Sequence, residues 1–195
     1  MADGRIDEFN AWAERDGWST RADGGLQFRS PKLKECLELW TRIAAGKTLP
    51  ARGDLTPRAM KNFLSSVIVW DVLRGESGVR FRLRVMGSGP QRIWGGKAGD
   101  FLDEVVPEPF RTRWHRLAHL SLALRAPLRC HGTVQFANQT YYHSETFQAP
   151  LAGEGDEPDA LMFVHIVEPK AFLPTAKMGD LRKSHAHPSR RARGP

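Results

Sequence analysis

Phe81, Leu83 and Val85 alternate with Arg80, Arg82 and Arg84, a period of two that a β-strand turns into one apolar and one charged face. Just upstream, Val67-Ile68-Val69-Trp70-Asp71-Val72 is a β-branched run that reads as a second strand, and Arg74-Gly75-Glu76-Ser77-Gly78 supplies the turn between them. The two predict a hairpin whose apolar face needs a cover.

Elsewhere the periodicity is helical. Ile6, Phe9, Trp12 and Ala13 share one face of a short helix closed by Asp16-Gly17, and Asp23-Gly24-Gly25 marks a loop. Ser30-Pro31 is an N-cap with proline at the first helical position. Leu33, Cys36, Leu37, Trp40, Ile43 and Ala44 then keep a three-and-four spacing until Gly46 stops it. That stripe covers either the sheet of its own domain or the same helix in a second copy, which makes Leu33, Leu37, Trp40 and Ile43 the candidate dimer or partner surface. Thr56-Pro57 opens another short helix carrying Met60, Phe63 and Leu64. After the hairpin, Gly87-Ser88-Gly89-Pro90 leads to a short helix with Ile93 and Trp94. A longer helix follows, with Phe110, Trp114, Leu117 and Ser121 on one stripe, and Arg125-Ala126-Pro127 ends it.

Three more strands are expected, over 128–136, 141–149 and 161–167, joined by the turn Ala137-Asn138-Gln139-Thr140 and by a loop from Gly153 to Pro158. The order predicts an α+β domain at 48–168 with a five-stranded antiparallel sheet and helices packed on one face. An N-terminal helical extension occupies 1–47.

With 41% hydrophobic residues, a chain of 195 is long enough for one ordinary core. No apolar run approaches the ~20 residues of a membrane helix, and Met1-Ala2-Asp3-Gly4-Arg5 opens a polar segment; a cytoplasmic protein without membrane insertion is the expectation. Cys36 and Cys130 fall in different elements without a metal spacing, which predicts reduced, inert thiols. The net charge of +7 is concentrated at the C-terminus, where seven Lys and Arg residues between Lys170 and Arg193 face Asp180 alone. Residues 169–195 read as a disordered basic tail capable of weak, unspecific contact with a polyanion.

Several residues in order resemble the PAS domain, and within it a compact bacterial family with a Leu-Pro-x-Arg-x-Asp lead-in. Leu49, Pro50, Arg52, Asp54 and Pro57 match that lead-in, Asp71 the acid ending the first strand, and Arg84-Val85-Met86-Gly87 the family's Arg-Leu-Val-Gly. Gly95, Gly99 and Pro150-Leu151 match its later glycines and Pro-Leu, so the resemblance spans 45–168. Gly87-Ser88-Gly89-Pro90 and the tryptophan before Gly95 depart from it. The resemblance implies a non-enzymatic sensory or regulatory module of bacterial signalling, acting by small-ligand or protein binding, with a ligand space between the sheet and the mid-chain helices. A homodimer through the N-terminal helices, expected from the Leu33-to-Ala44 stripe, and a signalling protein are the expected partners.

The side chains placed to line such a space are Phe81, Leu83, Val85, Trp94, Trp114 and Leu117, with a filled core as the alternative. Haem is disfavoured because a rotation of about 100° per residue turns His115 and His119 away from the stripe of Phe110 and Trp114. A covalent flavin is disfavoured because 88–98 contain no cysteine. His143 and Glu145 share a strand face, with His165 expected beside them. They form a polar patch that is solvated, specifies a ligand, or serves a small hydrolase or isomerase as an acid-base pair. Arg80, Arg82 and Arg84 offer either a grip for an anion or a solvated strand face.

Overall fold

In the computed structural model the described residues are 4–134, 142–153 and 155–169; the expected turn at 137–140, Tyr141 and the basic tail from Lys170 onward lie outside them. Helix α1 (Gly4–Arg15), strand β1 (Arg21–Asp23) and helix α2 (Pro31–Ala44) come first. Strands β2 (Val67–Gly75) and β3 (Gly78–Met86) follow, then helices α3 (Ser88–Trp94), α4 (Leu102–Val105) and α5 (Phe110–Leu124). Strands β4 (Leu128–Thr133), β5 (Tyr142–Ala152) and β6 (Pro158–Pro169) complete the α-helices and strands of the described residues. All the strands join one α+β sheet in the order β1-β4-β5-β6-β2-β3, antiparallel at every step.

The sheet therefore has six strands, not five. The extra one is β1, where Arg21 pairs with His131 and Asp23 with Arg129. Three residues with no β-branched side chain carry no strand signal of their own; tertiary partners impose the conformation. Asn10 on α1 donates through Nδ2 to the Ala22 carbonyl and accepts the Ala22 N–H at Oδ1, while Arg129 bonds Asp23 at 3.0 Å.

Helices also cover both faces of the sheet rather than one. Helix α2 lies on the face carrying Val69, Phe147, Ala149, Met162 and Val164, with Leu33, Cys36, Leu39, Trp40 and Ala44 buried there and Leu37 and Ile43 partly buried against the same cluster. The apolar stripe read as a dimer or partner surface thus meets the sheet of its own chain. Each large side chain sealed this way contributes about 1.5–3 kcal/mol. Trp40 adds a hydrogen bond from Nε1 to the Pro150 carbonyl at 3.0 Å.

On the opposite face, α4 and α5 pack over Ile68, Trp70, Val72, Phe81, Leu83, Leu161 and Phe163. Helix α1 extends that layer, placing Phe9, Trp12 and Ala13 against Leu117, Leu120, Leu128 and Cys130. The N-terminal segment is continuous with the core in this way. The segment after Pro57 forms turns instead of the expected helix, although Met60 and Phe63 are buried as a helix would have buried them.

One irregularity in β3 redistributes its side chains. Val69 pairs with Val85 but Trp70 pairs with Leu83, so Arg84 is an extra residue without a partner, a β-bulge. Because faces alternate, one extra residue sends everything beyond it to the other side. Phe81 and Leu83 face α4 and α5, whereas Val85 packs with the α2 cluster. Past the hairpin the chain runs so close to Ser65 that a Cβ on Gly87 would lie 2.4 Å from the Leu64 carbonyl oxygen, which accounts for the glycine there.

Candidate functional site

A cavity of about 520 Å³ lies between the sheet and helices α3 and α5. Strand alternation builds its floor: Ser144, Thr146 and Gln148 of β5 project to this face, with Phe163, His165 and Val167 beside them on β6. Trp94 of α3 and Phe110, Trp114 and Leu117 of α5 form the roof. The aromatics interlock, Trp114 stacking on Phe163 with centroids 5.7 Å apart and planes 10° from parallel, and Trp94 meeting Trp114 edge to face at 5.7 Å. Ile93 and Val167, both on the lining, are the exposed large hydrophobic side chains among the described residues, at 47% and 39%.

Four polar or thiol groups in the wall have unusual environments. Gln148 is wholly buried, and its Nε2 donates to the Leu117 carbonyl at 2.6 Å and to Ser121 Oγ at 2.5 Å. The carbonyl can only face a donor, which fixes the amide orientation and leaves Oε1 without a hydrogen-bond partner. His165 Nδ1 lies 2.8 Å from Thr146 Oγ1, and burial, reinforced by the Arg113 charge, pushes the imidazole down to about 4. It is neutral at neutral pH. Burial also lowers Arg113 to about 10, still charged, with its guanidinium 3.2 Å from Thr20 Oγ1 and 5.1 Å from the centre of the Phe110 ring. Cys130 is pushed up to about 12 by burial, and burial likewise raises Cys36, so neither thiol is a nucleophile at neutral pH.

Of the six apolar residues expected to line a ligand space, Trp94, Trp114 and Leu117 do so. Phe81 and Leu83 are 1% exposed and fill the core under α4 and α5, and Val85 lies on the far face for the reason given above. His115 and His119 are absent from the lining; both rings sit 5.6 Å from Phe81, and His115 Nε2 bonds Asp103.

The expected patch of His143, Glu145 and His165 is divided between the two faces. Register places His165 opposite Thr146 and Ile166 opposite Glu145, so His165 faces α5 while Glu145 faces α2. His143 and Glu145 line a separate cavity of about 310 Å³ with Arg129 and Ser30. There the Glu145 carboxylate accepts Arg129 Nε at 2.6 Å and the backbone N–H groups of Arg29 at 3.1 Å and Ser30 at 2.9 Å. Burial alone would raise Glu145, but those donors outweigh it and hold the carboxyl below its usual range. This carboxylate ties the start of α2 to the sheet. Among the described residues no hydrogen bond joins it to His143.

The arginine row is mostly occupied. Asp71, 6% exposed, receives Arg84 Nε at 2.5 Å and Arg82 at 3.3 Å, and Arg52 lies 3.7 Å away and bonds Asp159 at 3.0 Å. Arg80 pairs with Asp103 at 3.6 Å and covers the Phe101 ring. The motif residues thereby converge: Arg52, Asp71 and Arg84 meet in one ion cluster, and Ala152 N–H donates to the Pro50 carbonyl at 2.9 Å beside Pro150-Leu151. Among the described residues no group of three His, Cys, Asp or Glu side chains is placed to hold a metal ion, and no helix is long and apolar enough to cross a membrane.

Sequence reasoning missed Arg113, Gln148 and Arg129. A signal for Gln148 existed: if His143, Glu145 and Phe147 share one face, then Ser144, Thr146 and Gln148 form a polar row on the other. Comparison with known proteins adds no relative, as no family model matches the chain and no curated protein matches it.

Proposed function

We propose that the protein is a non-enzymatic sensory or regulatory module of PAS type that acts by binding a small molecule in the cavity between α3, α5 and the sheet. The observation that carries this is the cavity itself: about 520 Å³, roofed by Trp94 and Trp114, with the exposed side chains of Ile93 and Val167 on its lining. Its position under the mid-chain helices is where the PAS resemblance implies a ligand.

The route from ligand to partner runs through Leu117. This side chain lines the cavity and also belongs to the cluster that docks α1 through Phe9 and Trp12. A ligand pressing on Leu117 shifts the balance between two dockings of α1 and so changes the surface offered to a signalling protein. The reading as a hydrolase or isomerase is less well supported, because Glu145 is engaged by three donors and held acidic.

Native mass spectrometry of the full chain tests the proposal. The expected result is a small molecule carried by the folded protein, released on unfolding and lost in Trp114→Ala. A wild-type protein that carries nothing, and whose melting temperature no compound raises, contradicts it.

A further inference from the structure

We infer that the ligand of this cavity is a small aryl carboxylate, its flat apolar body packed against the aromatic cluster of Trp94, Trp114 and Phe163 and its carboxylate directed to Arg113 and Arg92. The inference rests on the binding function proposed above and gives that site a ligand class.

The sign of the charge in the wall is the first reason. Arg113 and Arg92 both line the cavity, and among the described residues no Asp or Glu does. Arg113 is charged at neutral pH and its field reaches into the cavity, where it opposes protonation of His165. Since His165 is neutral, it does not cancel or reinforce that sign. The Arg92 side chain, at the exposed edge, makes no ion pair or hydrogen bond among the described residues. A guanidinium presents its donors in a planar fork that matches a carboxylate, and the match strengthens where aromatic walls exclude water.

The second reason is shape. Trp114 and Phe163 are nearly parallel, with Trp94 set on edge against Trp114, so the wall offers aromatic faces and edges rather than an aliphatic lining. A flat ring gains both stacked and edge contacts there. The volume suits a molecule of one or two rings with a short acidic arm. A cation of the same size would meet two like charges and, among the described residues, no carboxylate on the lining.

The test uses the purified full chain and three matched probes: 1-naphthoate, its uncharged amide 1-naphthamide, and 1-naphthylmethylammonium. Binding is followed by quenching of tryptophan fluorescence and by calorimetry. The expected order is acid first, amide about tenfold weaker, and ammonium weaker still. In Arg113→Met, which keeps the apolar stem, the preference of acid over amide falls to about twofold; in Trp114→Ala all affinities fall together. Arg92→Met, at an exposed position that does not support the fold, should lower the preference about threefold and keeps the test decisive if Arg113→Met misfolds. Equal binding of acid and amide, or tighter binding of the ammonium, overturns the ligand class and leaves the binding function standing. Binding of none of the three also overturns the ligand class, whereas the binding function falls only if native mass spectrometry of the full chain finds no carried molecule and no compound raises its melting temperature.

Discussion

Asp71 Oδ1 lies 2.5 Å from Arg84 Nε, and Arg84 is the residue that the β2–β3 register skips. The bulge and the ion cluster are one feature: an extra residue swings a guanidinium onto the buried acid at the end of β2's apolar run. Replacing Asp71 with alanine would leave Arg82 and Arg84 side by side without a counter-charge, while Arg52 keeps Asp159. A loss of about 2 kcal/mol is expected, reduced from the fully buried case because the arginines are partly solvated. Urea unfolding checks it, and an unchanged midpoint in Asp71→Ala would show that the cluster is ornamental.

Glu145 plays a comparable part on the other side of the sheet, holding Arg129 and two N–H groups at the start of α2. Glu145→Gln keeps the shape but removes the charge, and should cost about 1–2 kcal/mol. Ligand affinity in the larger cavity should stay within about twofold, since the change lies on the opposite face. If the variant keeps full stability while abolishing a measurable turnover, Glu145 is catalytic and the binding function is wrong.

Acid should destabilise the fold through its histidines. His165 is held at about 4, and burial lowers His119 and His131 from the ordinary histidine range as well. Between about pH 6.5 and pH 4 the unfolded chain binds more protons than the folded one, so stability falls as pH falls through that window and is level above it. Melting temperatures at intervals from pH 7.5 to 4.5 would show the decline, with a shallower slope in His165→Asn. A flat profile between pH 7 and 5 would mean that His165 is not shielded as the structure shows.

Gly87 and Gly53 make a matched pair of substitutions. A Cβ at Gly87 would sit 2.4 Å from the Leu64 carbonyl and 2.6 Å from the Ser65 carbonyl, both backbone, whereas a Cβ at Gly53 meets nothing within 4 Å. Gly87→Ala should therefore cost about 1–3 kcal/mol and Gly53→Ala less than about 0.5 kcal/mol, both read by thermal melting. Equal melting temperatures for the two variants would contradict the close approach.

Much of the architecture was legible because it rests on local period. The stripe of α2, the pair Phe81 and Leu83 in β3 and the row Phe110, Trp114, Leu117 each state which side of an element is apolar, and each is buried or half-buried on that side. Three of the six residues expected to line a cavity, Trp94, Trp114 and Leu117, were legible for the same reason. Val85 and the group of His143, Glu145 and His165 were not. Their faces depend on one extra residue at Arg84 and on a register that sets His165 opposite Thr146, and neither leaves a trace in composition.

The sequence by itself determined the class of fold: antiparallel strands and amphipathic helices in an order that brings the mid-chain helices over the sheet. Only the tertiary structure decided that α2 is sealed on its own sheet, that a three-residue segment becomes a sixth strand, and that Arg113, His165 and Gln148 share one cavity. The physical reason is range. Periodicity reports which side of an element avoids water, whereas charge pairing, strand register and the burial of a polar group are settled by residues distant in the chain that folding brings within a few ångströms.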